Sequence, residues 1–170
     1  MDLRTLARAY DRSADGYDER FRTLQRPKYE EAARLLGGLC AGACLDAGGG
    51  TGLYAEFSQN PRVTVLDASP EMLRFARARG LACVLGDLAA PPFAPRSFPL
   101  VVSFTAVLEE VPRALRALGA LVAPGGALVV SFLAGEAPAA LAVERWSGLR
   151  LRAGPAPAGQ DRLFLLARDP

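Results

Sequence analysis

The sequence predicts an α/β protein in which a doubly wound, Rossmann-like, mostly parallel sheet lies between two layers of helices, a three-layer sandwich. Short apolar runs recur along the chain without polar alternation, which is typical of strands buried on both faces of a parallel sheet. Segments with apolar residues at helical spacing lie between these runs, and this alternation implies right-handed crossovers. The last two apolar runs leave no room for a helix between them, which predicts an antiparallel C-terminal hairpin.

The N-terminal part of the chain is predicted to be helical. The segments "LRTLARAYDR" and "RPKYEEAARLLGGL" carry apolar residues at helical spacing among charged residues. At 170 residues the chain has the size of a single domain. We therefore divide it into a helical cap segment over 1–40 and a core over 41–170.

Five apolar runs in the core are predicted to be parallel strands: "CLDA", "RVTVLD" (62–67), "LACVL" (81–85), "PLVVSF" (99–104) and "GALVVSFL" (126–133). The helix over 69–80 has Ser69 placed to cap it, Pro70 in its first turn and Gly80 at its end. A further helix, "VPRALRALGAL", stops at the sequence "APGG". The tail is predicted to be two strands, "LRLR" and "RLFLLA", joined by a loop over 153–160, with the last strand antiparallel to the others.

Charge and composition favour a protein that acts on small molecules in the cytoplasm. The net charge is only +2 and no dense basic stripe occurs, so a nucleic-acid partner is not expected. "APGG" breaks the uncharged stretch over 117–135, and the charged N-terminus does not resemble a signal peptide, so no membrane segment is expected. Cys40, Cys44 and Cys83 occur in a chain without histidine, which favours buried thiols in a reducing compartment over a metal site.

The glycine-rich segment "LDAGGGTG" (45–52) follows the first predicted strand and opens the next helix. Ligands of open α/β sheets bind at this place, at the carboxyl ends of the strands. A P-loop is excluded because no Gly-Lys-Ser/Thr follows, and the dinucleotide pattern fits poorly because Leu53 occupies its third glycine position. Tight strand-to-helix turns also use glycine without any ligand.

Two acidic residues at the next strand ends favour an adenosine ligand. Asp67 ends the second strand, where a carboxylate can accept hydrogen bonds from both hydroxyls of a ribose. Asp87 follows Gly86 after the third strand, where it could accept a hydrogen bond from the amino group of adenine. Either carboxylate alone is also typical of a solvated loop.

With these motifs in order, the chain resembles the class I S-adenosylmethionine-dependent methyltransferases. The segments that carry the resemblance are "CLDAGGGTG", "VTVLDASPEML", "GDLAAPPFAPRSFPLVVSF" and "ALRALGALVAPGGALVVSFL". Within that family the chain looks most similar to the small ubiquinone and menaquinone biosynthesis branch, including its N-terminal segment "AYDRSADGYDERF". The resemblance makes 41–170 a cofactor-binding core and implies S-adenosylmethionine as cofactor.

The resemblance also implies a role for individual residues. Gly48, Gly50 and Gly52 match the turn against which the cofactor lies. The remaining matches are Asp46 near the amino-acid end of the cofactor, Asp67 at the ribose, Ala68 and Met72 beside the adenine, Asp87 and Leu88 at the adenine edge, Phe104 at the methionine portion, and Tyr17 in the closing N-terminal segment. Carboxylates and aromatic faces suit a sulfonium cation that carries no phosphate.

Three features depart from the family pattern. Pro99 stands where an acid usually precedes the fourth strand, Glu110 replaces a histidine, and no separate lid domain covers the substrate. Without histidine, a general base would have to be a carboxylate, a tyrosine or the substrate itself, and Glu109, Glu110 and Tyr10 are the candidates. The two glutamates also fit the start of a helix, where negative charge is favourable.

The sequence therefore predicts a methyltransferase that acts on a small molecule and leaves two alternatives open. One is a non-catalytic cofactor-binding or regulatory protein of the same fold, and the other is an NAD(P)-dependent oxidoreductase. The acceptor atom, the catalytic residue and assembly with a second copy or a partner protein are not determined by the sequence.

Overall fold

The structure, a computed structural model, describes residues 3–38 and 42–170. The helices of this part are α1 (Leu3–Ser13), α2 (Tyr17–Leu36), α3 (Leu53–Ser58), α4 (Pro70–Ala78), α5 (Val111–Leu121) and α6 (Ala140–Ser147). The strands are β1 (Cys44–Ala47), β2 (Val63–Asp67), β3 (Ala82–Leu85), β4 (Phe98–Phe104), β5 (Val122–Leu133), β6 (Arg150–Ala158) and β7 (Asp161–Ala167).

The strands form one sheet in the order β3-β2-β1-β4-β5-β7-β6. The pairs among β1 to β5 are parallel, whereas β7 is antiparallel to both β5 and β6. The predicted fold class is confirmed, including the antiparallel C-terminal hairpin. Because β1 to β5 share one direction, their carboxyl ends meet at one edge of the sheet.

Each face of the sheet carries its own apolar layer because successive strand residues point to opposite sides. Leu45 and Ala47 of β1 pack with α5 and α6, together with Val101 of β4. Cys44 packs on the other face with residues of α2, α3 and α4, together with Val102. The three-layer arrangement follows directly from this alternation.

Four details differ from the sequence prediction. β6 continues to Ala158, so residues predicted as a loop pair with β7 and only 159–160 form the turn. β5 begins at Val122 rather than after "APGG", with a register shift against β4 beside Pro99, where a missing backbone donor is tolerated. α6 was not predicted, because its eight residues are too few to show a clear helical period. β3 is an edge strand with Leu85 exposed rather than a strand buried on both faces.

α2 brings the N-terminal segment onto the sheet. The helix packs against α3, β6 and β7, and its Tyr29 contacts the rings of Tyr54, Phe57 and Phe104. This packing places one side of α2 beside the carboxyl end of β4.

The cysteines lie apart from these contacts. Cys44 is buried in β1 and Cys83 is partly buried in β3, whereas Cys40 lies outside the described residues. Among the helices that the structure describes, none has the length and apolar character that crossing a membrane requires.

Candidate functional site

The glycine turn after β1 is held by backbone hydrogen bonds and by close packing. Gly48 donates its N–H to the carbonyl oxygen of Leu66 at 2.7 Å, which ties the turn to β2. Gly48 has φ 75°, and a Cβ at this position would lie 2.2 Å from the Cβ of Ala106. A side chain is therefore excluded both by the backbone conformation and by the neighbouring loop.

Asp67 is fixed at the end of β2 by two backbone donors. Gly50 donates its N–H to Oδ2 at 2.9 Å, and Ser69 donates its N–H to Oδ1 at 2.8 Å. Burial raises the pKa of Asp67, and these hydrogen bonds oppose the shift because they favour the charged form. The carboxylate thus links the glycine turn to the start of α4, which Ser69 caps by accepting from the N–H of Met72.

A cavity of about 240 Å³ lies at the carboxyl ends of the strands, beneath α1 and α2. Its lining comes from two groups of elements, which we name the β1–β3 half and the α2 half. The β1–β3 half is lined by Gly48, Gly50, Leu66, Asp67, Ala68, Met72, Gly86 and Leu88. The α2 half is lined by Ala7, Tyr10, Tyr17, Phe21, Leu24, Gln25, Lys28, Phe104, Thr105, Ala106, Leu108, Leu133 and Gln160.

Most of the residues singled out in the sequence meet at this cavity. Its lining includes Tyr17, Gly48, Gly50, Asp67, Ala68, Met72, Leu88 and Phe104. Asp46, Gly52 and Asp87 are not part of the lining. Gly52 begins α3 with φ 85°, and the Oδ1 of Asp87 accepts from the N–H of Ala89 at 2.8 Å, which shapes the loop after β3.

Asp46 is buried directly behind the glycine turn. Its carboxyl carbon lies 2.5 Å from the place that a Cβ on Gly49 would take, so the acid packs against the turn itself. Burial, and secondarily the charge of Asp67, raises the pKa of Asp46 to about 7. The acid is therefore poised to change its protonation near neutral pH.

The candidate general bases are separated by the fold. Tyr10 lines the cavity, whereas Glu109 and Glu110 are exposed and do not. Glu110 accepts from Arg113 at 2.8 Å, and it stands at the start of α5. The two glutamates thus lie directly before α5, where negative charge is favourable without any catalytic role.

A buried polar cluster in the α2 half was missed by the sequence reading. Lys28 donates to Thr105 Oγ1 at 2.5 Å and lies 3.3 Å from Asp161 Oδ2, which also accepts from Thr105 and Ser131. Lys28 is 5% exposed and Asp161 is fully buried. Burial lowers the pKa of Lys28, and the charge of Asp161 opposes that shift. One signal was available, since Lys28 is the single lysine in a chain whose other basic residues are all arginine.

Polar contacts hold the N-terminal helices over the cavity. Ser69 Oγ donates to Asp11 of α1 at 2.5 Å, and Thr51 Oγ1 donates to Asp18 of α2 at 2.6 Å. Arg79 also pairs with Asp18. Burial, and then the neighbouring Tyr10, raises the pKa of Tyr17 to about 12, so its hydroxyl stays protonated at neutral pH.

This strand order, with its antiparallel β7 and a cavity above a glycine turn, is a Rossmann-like methyltransferase fold. A magnesium protoporphyrin IX methyltransferase from Synechocystis PCC 6803, solved with bound SAH, superposes with a TM-score of 0.76 at 16% identity, covering 99% of this chain and 100% of that one. At this identity the match establishes the fold.

Sequence comparison points to methyltransferases as well. A family profile described as a methyltransferase domain matches residues 44–126. A malonyl-(acyl-carrier protein) O-methyltransferase from Pectobacterium atrosepticum is 36% identical over 135 residues, covering 76% of this chain and 53% of that protein. Its counterpart from Halorhodospira halophila is 38% identical over 146 residues, covering 76% of this chain and 48% of that protein.

The fold and these matches together support the class I S-adenosylmethionine-dependent methyltransferases as the family of this chain. The chain spans about half the length of the curated relatives it matches. The narrower resemblance to the ubiquinone and menaquinone branch stays a prediction.

Proposed function

We propose that the chain binds S-adenosylmethionine in the β1–β3 half of the cavity and transfers its methyl group to a small-molecule or acyl acceptor in the α2 half. The observation that carries this proposal is the placement of Asp67. Its carboxylate faces the cavity, is oriented by two backbone donors and stands beside the glycine turn. A fixed carboxylate at a strand end is suited to accept hydrogen bonds from the two hydroxyls of a ribose.

The chemistry of the β1–β3 half fits this cofactor better than a phosphate-bearing one. Among the described residues that line this half, Asp67 is the charged group and none is basic. Leu66, Met72 and Leu88 supply apolar surface for an adenine ring. The dinucleotide pattern requires a glycine where this chain has Leu53, which disfavours the oxidoreductase alternative.

The residues around the site would contribute binding, orientation and exclusion of water. When bound, the cofactor supplies a methyl group on a sulfonium sulfur. Asp67 would hold the ribose, while Tyr17 and Phe104 would place aromatic surface near the positive sulfur. Alignment of the acceptor with the methyl carbon is the main catalytic contribution of such a site, with effective molarities of about 10^5 to 10^8 M for well-oriented groups.

The acceptor class is proposed from the lining and from the relatives. The relatives are named for O-methylation of a malonyl group on an acyl carrier protein, which supports an acyl or other small acceptor. The thiols of Cys44 and Cys83 support the cytoplasm as the compartment, and assembly with a second copy or a partner protein stays a prediction.

Calorimetry with S-adenosylhomocysteine and with NAD tests the cofactor assignment. We expect saturable binding of S-adenosylhomocysteine and none of NAD. The reverse result would overturn the methyltransferase proposal. Transfer of labelled methyl to malonyl-acyl carrier protein or to components of a metabolite extract then tests catalysis, and cofactor binding without transfer would favour the non-catalytic alternative.

A further inference from the structure

The ammonium group of Lys28 is positioned to meet a ligand. Lys28 lines the cavity, and two of its partners, Thr105 Oγ1 and Asp161 Oδ2, account for two of its three N–H donors. Asp161 is fully buried and is not part of the cavity lining. A ligand in the α2 half therefore meets the cationic side of the ion pair.

A second polar side chain in the same half, which forms a hydrogen bond with Tyr17, has one atom without a partner. Gln25 lines the cavity one helical turn before Lys28, and its Oε1 is buried without a hydrogen bond in the described part of the chain. Leaving a buried polar atom unpaired is unfavourable, because the atom loses its hydrogen bonds to water and gains none in return. An occupant of the α2 half could remove this cost, which marks the place as a ligand site rather than as packing.

The rim of the α2 half is apolar. Leu24, Leu108 and Leu133 are among the large apolar side chains that remain exposed, at 45%, 39% and 36%, and all three belong to this cavity. They come from α2, the loop after β4 and the end of β5, so the fold gathers them from separate elements. Exposed apolar side chains grouped around a cavity are typical of a binding surface.

We propose that the α2 half is the acceptor subsite and that it takes a carboxylic acid carried on an apolar chain, with Lys28 holding the carboxylate and the three leucines contacting the chain. Thr105 and Asp161 act as positioning residues because they contact the ammonium group, and Ser131 acts through Asp161, to which it donates. This inference rests on the proposed function for its role in catalysis, although the binding it describes can be measured separately.

A carboxylate acceptor also agrees with the position of the candidate bases. A carboxylic acid is ionised at neutral pH, so its oxygen can form the bond to the methyl carbon without losing a proton. The carbon–sulfur bond breaks in the same step, and its electron pair stays on sulfur, which becomes a neutral thioether. The reaction therefore balances without a general base, and the exposure of Glu109 and Glu110 does not impair it.

The test compares octanoate with octanamide, which differ in charge but not in chain length. Calorimetry is carried out on the whole chain, with and without saturating S-adenosylhomocysteine. We expect octanoate to bind at least about ten-fold more tightly, since a hydrogen bond to a charged group contributes about 1.5 to 3 kcal/mol. Lys28→Met should abolish this preference, and equal binding of the two probes to the unaltered protein would overturn the proposal.

Further variants separate the role of Lys28 in ligand binding from its role in stability. Lys28→Met leaves Asp161 buried without its cation, so Lys28→Met combined with Asp161→Asn removes the pair together. The double variant should fold and show no preference for octanoate, whereas Asp161→Asn alone should reduce the preference without abolishing it, because Thr105 Oγ1 still accepts from the ammonium group. A preference that persists in the double variant would contradict the assignment of Lys28.

A matched pair of substitutions tests the apolar rim. Leu24→Ser should weaken octanoate binding several-fold, while Leu141→Ser, which alters a leucine that is 79% exposed away from this cavity, should not. Equal effects of the two substitutions on octanoate binding would show that the apolar rim is not part of the acceptor subsite. Binding of S-adenosylhomocysteine to each variant is measured alongside, so that loss of the cofactor site is distinguished from loss of the acceptor subsite.

Discussion

The two halves of the cavity are built in different ways. In the β1–β3 half, the shape comes from backbone: a glycine turn, N–H donors and a carboxylate oriented by Gly50 and Ser69. In the α2 half, the shape comes from side chains of distant segments, with Lys28, Thr105 and Asp161 joined in one cluster. A backbone-built site keeps its geometry for one ligand, whereas a side-chain-built site can change its ligand through a few substitutions.

The largest effect is expected at the carboxylate of the β1–β3 half. Asp67→Ala removes the proposed acceptor of two ribose hydrogen bonds, each contributing about 1.5 to 3 kcal/mol when one partner is charged. Affinity for S-adenosylhomocysteine should fall at least about 100-fold in calorimetry. Glu71→Ala, which alters an exposed acid four residues away, is the matched control and should leave the affinity unchanged. An unaltered affinity in Asp67→Ala would show that the ribose lies elsewhere.

Gly48 is where the two halves meet, and Gly48→Ala should disturb both. Gly48 has φ 75°, so an alanine there costs about 1 to 2 kcal/mol for its left-handed backbone. Its added Cβ would lie 2.2 Å from the Cβ of Ala106, and such overpacking costs about 1 to 3 kcal/mol more. Denaturant unfolding measures the sum. Gly80→Ala isolates the backbone cost, because Gly80 has φ 77° and no atom within 4 Å of an added Cβ. If the two variants lose equal free energy of unfolding, the loop at Ala106 moves aside for the added methyl group without a measurable cost.

Asp46, which is buried behind the glycine turn of the β1–β3 half, should make the stability of the protein depend on pH. Its folded-state pKa of about 7 lies above the ordinary value of 3.8, so the folded protein holds the proton more tightly. Its contribution to the free energy of unfolding should fall as pH rises between those values, by about 1.4 kcal/mol for each pH unit. Asp46→Asn should remove this part of the pH dependence in denaturant unfolding at pH 5 and pH 7. If the free energy of unfolding depended on pH in the same way in Asp46→Asn, the raised pKa proposed for the buried Asp46 would be contradicted.

The smallest effect on stability is expected at the contact between α2 and α3. Arg22 pairs with Glu56 while both remain partly exposed, so Arg22→Gln should change the free energy of unfolding by less than about 1 kcal/mol. Because that pair holds α2 over the cavity, dissociation of S-adenosylhomocysteine in stopped-flow measurements should nevertheless become faster. Arg26→Gln, which breaks a pair with Glu30 inside the same helix, should leave the dissociation rate unchanged. Equal rates in both variants would mean that α2 does not control ligand release.

The difference between the halves also explains what the sequence could predict. The glycine turn, Asp67 and the strand ends lie within local segments whose spacing is visible along the chain, and Asp67 does line the cavity. The cluster of Lys28 with Thr105 and Asp161 joins positions separated by more than fifty residues, and no local pattern marks it.

The same reasoning applies to the elements of the fold. Strands β1 to β5 have apolar runs that a parallel sheet requires, so their existence was predictable. α6 is only eight residues long, and β6 carries prolines and small residues that favour a loop locally, so their structure depends on tertiary contacts with α5 and β7. Pro99 fits because the pairing of β4 with β5 is already irregular beside it.

The ring contact between α2 and β4 joins the helix of Lys28, proposed to hold the acceptor, to Phe104, proposed to lie near the sulfur of the cofactor. Tyr29 follows Lys28 in the chain, and its ring lies 5.0 Å from that of Phe104, a residue of the cavity wall. A ligand that fixes the position of Lys28 also restrains Tyr29, and through it Phe104. Occupancy of one half should therefore raise the affinity of the other, and thermodynamic reciprocity requires the same factor in both directions.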